Sequence, residues 1–223
     1  GIAQSLSPMG LSGLGYNGHV FWDTEMFMMP PMLMLQPQMA RSMLEYRFER
    51  LEEARKNAAS YGYAGAMFPW ESASTGAEDC PVTSLAGTFQ HHVTADVAIA
   101  CWNYWLATQD REWLETRGWP VLKATAEFWV SRVERTDDGK YHVYNVMGAD
   151  EWAVNKDDDA YTNGAVKRNL EFATAAAKEL GLNCPSEWMT IADNIFFGKM
   201  ADGVTLEHAG YDGAEIKQAD VNL

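Results

Sequence analysis

The sequence predicts an all-α fold, arranged as a helical toroid with its inter-helix loops gathered at one end. Two observations lead there. Apolar residues recur at spacings of three and four in successive segments, and loops rich in Gly, Pro and Asp separate those segments. The polar and aromatic motifs fall mostly in the loops and not on the apolar helix faces. No period of 20 to 50 residues repeats, which argues against a simple solenoid, and a plain helical bundle is the alternative architecture.

Residues Gly1 to Gly18, rich in Gly, Ser and Pro, read as a connecting loop. Met26 to Leu35 is apolar on every side, the pattern of a buried helix. Its methionines read as core filler, since no His or Cys accompanies them as a soft-metal site would require. Pro37 suits a helix first turn, and Ala40, Met43, Leu44, Arg47, Phe48, Leu51 and Ala54 carry an amphipathic stripe to about Ser60. Tyr61 to Pro81, punctuated by Gly62, Gly65, Pro69 and Gly76, is a long loop of the kind that often binds ligands.

A third helix is expected from about His91 to Thr108, and a fourth opens at Pro120. Thr136 to Gly139 reads as a turn, and Tyr141 to Val146 as a short extended segment. A fifth helix follows from about Thr162 to Leu180 and stops at Gly181; Ser186 is expected to cap a sixth. Trp102, Trp105, Trp113, Trp119, Trp129 and Trp188 read as packing residues, and Arg47 and Arg55 as ion-pair partners.

A net charge of −14 argues against nucleic acid and against an anionic membrane surface. With nine Trp and nine Tyr, the composition suits a neutral ligand. Cys80, Cys101 and Cys184 follow no metal spacing, and Cys101 falls on an apolar helix face. The densest apolar run, Met26 to Leu35, is about half of what a bilayer span needs and contains Pro30 and Pro31. The expectation is a soluble protein, cytoplasmic or periplasmic, that needs no metal or cofactor. Both ends look cut, so residues 1–223 are expected to be one fragment of a larger catalytic domain.

The chemistry concentrates in the loop Met147 to Asn163. Asp150 and Glu151 are adjacent carboxylates followed by Trp152, and an acid beside an indole is a pairing that sugar cleavage uses. The carboxyl protonates a leaving oxygen and the ring packs on a pyranose face. Most such pairs are ordinary solvated loop acids, so the remaining motifs matter. They are Phe21-Trp22-Asp23, Phe68-Pro69-Trp70-Glu71-Ser72, Gln90-His91-His92 and Lys217-Gln218. Asp23 can accept hydrogen bonds from adjacent hydroxyls, Lys217 and Gln218 can donate, and Trp22, Trp70 and Trp152 offer flat apolar faces. His91 and His92 read first as packing or hydrogen-bonding residues at a helix start.

In this order and spacing, the motifs resemble glycoside hydrolase family 65, which includes α-glucoside hydrolases and the maltose, kojibiose and trehalose phosphorylases. The resemblance runs through GYNGHVFWDTE, YRFERLEEARKNA, GYAGAMFPWES, HHVTADVA, FWVSRVE, ADEW with AYTNG, and IKQADV. It implies a partial (α/α)6 barrel. It also implies Glu151 as general acid, with Trp22, Asp23, Lys217 and Gln218 holding the transferred glucosyl unit; Trp70, Glu71 and Trp152 complete the expected substrate contacts. Burial under Trp152 or the nearness of Asp150 is expected to keep Glu151 protonated. Some members carry a His after the acid-aromatic triplet, where this chain has Ala153.

The group that separates hydrolases from phosphorylases lies, by the resemblance, after the KQADV motif. The leading expectation is inverting hydrolysis of a kojibiose-, nigerose-, maltose- or trehalose-like α-glucoside. The runner-up is a phosphorylase, with inorganic phosphate as a further partner. A non-catalytic sugar-binding module is the reading from another class.

Overall fold

Prolines, a glycine and one arginine set several of the helix boundaries in the computed structural model, which describes residues 3–220. A π-helical turn, Thr24–Met28, leads into α1 (Met29–Leu35), whose first turn takes Pro30 and Pro31. The expectation of a fully buried helix here is corrected. Met29 is buried, but Met34 and Leu35 are 86% and 78% exposed. An all-apolar run does not say which sides are covered; α1 packs against the Thr24–Met28 turn and the helices Pro37–Glu49 and Val93–Thr108.

Pro37 opens α2 (Pro37–Glu49), as its fixed φ and missing N–H favour. The stripe then divides where one helix was expected, because Arg50 breaks it and α3 (Leu51–Ser60) starts afresh. The Arg50 guanidinium takes the Tyr46 carbonyl that a continuing helix would have used, at 3.0 Å, and donates to Ser74 O at 3.1 Å. It also stacks on the Tyr46 ring, 3.7 Å from the centroid.

After the long loop, α4 (Ala86–Phe89) is a single unanticipated turn, and α5 (Val93–Thr108) is the central helix. The fourth helix starts earlier than Pro120. Asp110 Oδ1 accepts from Trp113 N at 3.0 Å and caps α6 (Arg111–Trp113), which runs through a π-turn, Leu114–Gly118, into α7 (Trp119–Arg132). The wide turn precedes Pro120, which has no N–H to give.

The expected turn joins β1 (Glu134–Arg135) to β2 (Tyr141–His142), with Glu134 opposite His142. The extended segment is thus shorter than Tyr141 to Val146, and Val146 makes only an isolated bridge to Lys156. Helix α8 (Ala160–Leu180) is capped by Asp159, whose Oδ1 accepts from Thr162 N at 2.6 Å. Gly181 ends it in the left-handed region, at φ 70°. Ser186 precedes α9 (Glu187–Asn194), but its hydroxyl makes no capping bond, so the expected side-chain cap is absent.

The core lies where α5 and α8 meet, with α2, α7 and α9 around them. Trp113, Trp129, Phe128, Leu122 and Leu170 are buried there, as is Cys101. Trp102, Trp105 and Trp188 are buried too, and Trp119 packs half-buried against the same cluster. Within it, Arg47 makes a bidentate pair with Glu25, Nε to Oε1 at 2.7 Å and Nη2 to Oε2 at 2.9 Å. Arg47 Nη2 also reaches Phe21 O at 3.3 Å, so a core ion pair fixes the start of the Phe21-Trp22-Asp23 segment. Arg55 pairs with Glu52 on the surface of α3.

Candidate active site

Four separate stretches of chain supply the walls of one cavity. Val20 and Ser72 exchange backbone bonds, Val20 N to Ser72 O at 2.8 Å and Ser72 N to Val20 O at 2.9 Å. This stitch brings Trp22 and Asp23 beside the loop that carries Trp70. That loop is shaped from within: the Glu78 carboxylate accepts from Trp70 N at 2.7 Å and Glu71 N at 3.0 Å. Phe21 meets the Trp70 ring edge-on at 4.9 Å between centroids.

The cavity measures about 670 Å³ and is lined by Trp22, Asp23, Trp70, Glu151, Lys217 and Gln218, with Tyr16, Phe21 and Phe27 alongside. Its size is within the range of small-ligand pockets, roughly 300–1,000 Å³. The two carboxylates do different things. Glu151 is part-exposed and hydrogen-bonded to Lys217 Nζ. Asp23 has its carboxyl raised above the usual range, chiefly by burial and further by the Glu151 charge, although its own backbone N–H pulls the other way.

Six of the expected site residues therefore share one cavity, Glu151 among them. Two do not. Trp152 is 60% exposed and lines a different, small cavity with Asp150, Glu207 and Tyr211. It does not bury Glu151, which corrects that expectation: consecutive side chains of the loop point apart, Asp150 inward, Glu151 to the cavity and Trp152 to the far side. Glu71 also lies outside, bonded at 2.7 Å to His19 Nδ1.

His91 and His92 are packing residues, neither of them lining the cavity. His91 Nδ1 accepts from Arg132 Nε at 3.2 Å, and its Nε2 bonds Thr88 O. Burial, followed by the Arg132 charge, pushes its pKa down to about 3, so the ring is neutral at ordinary pH. His92 Nδ1 bonds Asp96 at 2.7 Å, and the His92 ring supports Trp22 edge-to-face at 4.9 Å.

Sequence reasoning named Asp150 but missed the buried acids grouped with it behind the acid loop, Asp159, Asp220 and Glu207. Asp159 is raised well above the usual carboxylate range by burial and by the Asp220 charge, and burial also raises Asp220. Glu207 is pushed up to about 7 by burial first and then by Asp220 and Asp150. The only signal in the sequence is local: Asp159 directly precedes a helical stripe, where a capping residue belongs.

Because Glu207 holds its proton more tightly folded than unfolded, it favours folding most below its ordinary pKa. That contribution is lost as pH rises through about 7. Glu207→Gln is therefore expected to flatten the fall in stability between pH 5 and 8 and to exceed the parent in stability at pH 8. Urea midpoints at the two pH values measure this, and an unchanged pH dependence would count against the buried-acid account.

Residues 3–222 match the glycosyl hydrolase family 65 central catalytic domain. The chain belongs to this family. Over 219 residues it is 63% identical to the kojibiose hydrolase of Flavobacterium johnsoniae, covering 98% of this chain and 32% of that protein. It is 41% identical over 202 residues to the kojibiose phosphorylase of Caldanaerobacter subterraneus, covering 86% of this chain and 26% of that protein. The chain thus spans a third or less of the length of these family 65 relatives.

A human-microbiome protein assigned as a kojibiose phosphorylase superposes with a TM-score of 0.81 at 23% identity, covering 92% of this chain and 29% of that one. That likeness concerns the fold, and the helices described above form part of an (α/α)6 barrel. Among the described residues, no helix is long and apolar enough to cross a membrane. Nor does any group of three or more His, Cys, Asp and Glu among them have a metal-holding arrangement.

Proposed function

We propose that the protein carrying this chain hydrolyses the α-glucosidic bond of kojibiose-type disaccharides with inversion, Glu151 serving as the general acid. The observation that carries the proposal is the convergence of Glu151, Asp23, Lys217 and Gln218 on a cavity walled by Trp22 and Trp70. Glu151 gives its proton to the glycosidic oxygen as the bond breaks. Asp23 accepts from sugar hydroxyls, and Gln218 both donates and accepts. Lys217 now sits on Glu151. An incoming hydroxyl takes over that ammonium, and the freed Glu151 carboxylate takes up a proton from solvent, which it then hands to the leaving oxygen. Inversion then needs a carboxylate about 6.5–9.5 Å from the acid to activate water on the opposite ring face. By this reading that base lies outside the residues described.

The higher identity to a kojibiose hydrolase, 63% against 41% to a phosphorylase, favours water over phosphate. The phosphorylase reading stays as the second, since Glu151 would act identically and phosphate would replace water. Glucose release from kojibiose, nigerose, maltose and trehalose, with and without phosphate, separates the two. Phosphate-independent release, greatest with kojibiose, is expected; strictly phosphate-dependent turnover yielding β-glucose 1-phosphate establishes the phosphorylase instead. A non-catalytic module predicts no turnover by the intact protein under either condition.

A further inference from the structure

Glu151 and Lys217 meet across 66 residues of chain, and both sit on loops, which do not hold a reacting pair in place unaided. The residue beside the acid supplies the hold. Asp150 is 2% exposed. Its Oδ1 accepts from the Lys217 backbone N–H at 2.7 Å and from Trp152 N–H at 3.2 Å. Its own N–H donates to Asp220 Oδ2 at 3.3 Å, and Asp220 Oδ1 accepts from Tyr161 N at the start of α8, also at 3.3 Å.

The two loops are thereby cross-stitched by two carboxylates, each accepting from the other's segment, and tied to the rigid end of α8. Gly148 packs so closely on Asp159 and Asp220 that a Cβ there would collide with both carboxyls. Lys217 thus donates twice, its backbone N–H to the Asp150 carboxylate and its ammonium to Glu151 itself.

We propose that Asp150 is a positioning residue: its buried carboxylate sets the Glu151 carboxyl and Lys217 in register, with Asp220 fixing its backbone. The proposal rests on Glu151 being the general acid. A proton donor must be placed to within about 0.5 Å, and a misplacement of about 1 Å costs on the order of 10²-fold in rate. Two charge-assisted bonds from one buried oxygen are suited to that precision.

The test is the kcat and KM of the intact protein for kojibiose and for α-glucosyl fluoride, with phosphate present so that either nucleophile serves. Fluoride leaves without a proton, so its turnover does not depend on where Glu151 points. Asp150→Asn keeps an oxygen at the accepting position and is expected to retain kcat within about 5-fold on both substrates. Asp150→Glu keeps the charge but moves the oxygens by a methylene. It is expected to lose about 10²-fold in kcat on kojibiose and less than about 10-fold on the fluoride. Asp150→Ala should resemble Asp150→Glu, and if it fails to fold the other two decide.

Equal losses on the two substrates in Asp150→Glu, or wild-type kcat on kojibiose, overturn the proposal. Glu151→Gln runs in parallel. If it shows no kojibiose-selective loss, the general-acid reading itself fails. If it does and the Asp150 variants do not, only the positioning role fails.

Discussion

Glu151→Gln is expected to lower kcat on kojibiose by about 10²–10⁴-fold, the usual contribution of a positioned acid, or roughly 2.7–5.5 kcal/mol of barrier. The glutamine preserves shape and keeps an oxygen for Lys217 Nζ, so the cavity should keep its form. What disappears is the proton for the leaving oxygen. The loss should therefore fall on kcat more than on KM, and it should shrink with an activated leaving group. Kojibiose turnover within 10-fold of the parent would assign the proton to another group.

How far the sequence showed this site depends on how local each piece of information is. The stripes of α5, α7 and α8 were legible because a helix face repeats every three or four residues and needs only its own sequence to be seen. The break at Arg50 was not, since it depends on the Ser74 carbonyl, 24 residues away in a loop. The bare side of α1 was hidden for a similar reason: Met34 and Leu35 look like core residues, and only the packing shows which side is covered.

The same distinction runs through the site. Glu151, Asp23, Lys217 and Gln218 were found as motif residues, each in its own short string. Trp152 was placed wrongly because adjacency in a loop was read as adjacency in space, whereas neighbouring loop side chains here point apart. The interplay of Asp150 with Asp220, 70 residues apart, leaves no mark on either motif alone. It becomes visible only when both loops are folded onto α8.

Breaking the Glu25–Arg47 pair is expected to have the largest effect on stability. Both side chains are about 1% exposed, and the pair is bidentate at 2.7 and 2.9 Å. Glu25→Ala leaves a guanidinium buried without its counter-charge, which typically costs about 3–5 kcal/mol. Arg47→Met removes the charge but strands the Glu25 carboxylate, at a similar cost. The double variant leaves neither ion uncompensated. It should therefore be more stable than the sum of the single losses predicts, by a coupling of roughly 0.5–3 kcal/mol. Urea unfolding of the four proteins measures that coupling, and strict additivity would show that the two do not act as a pair. Because Arg47 Nη2 also holds Phe21 O, the single Arg47 variant should additionally raise KM, by loosening Trp22 and Asp23 at the cavity wall. A KM unchanged by Arg47→Met, with stability lost, would separate the core role of the pair from its support of the site.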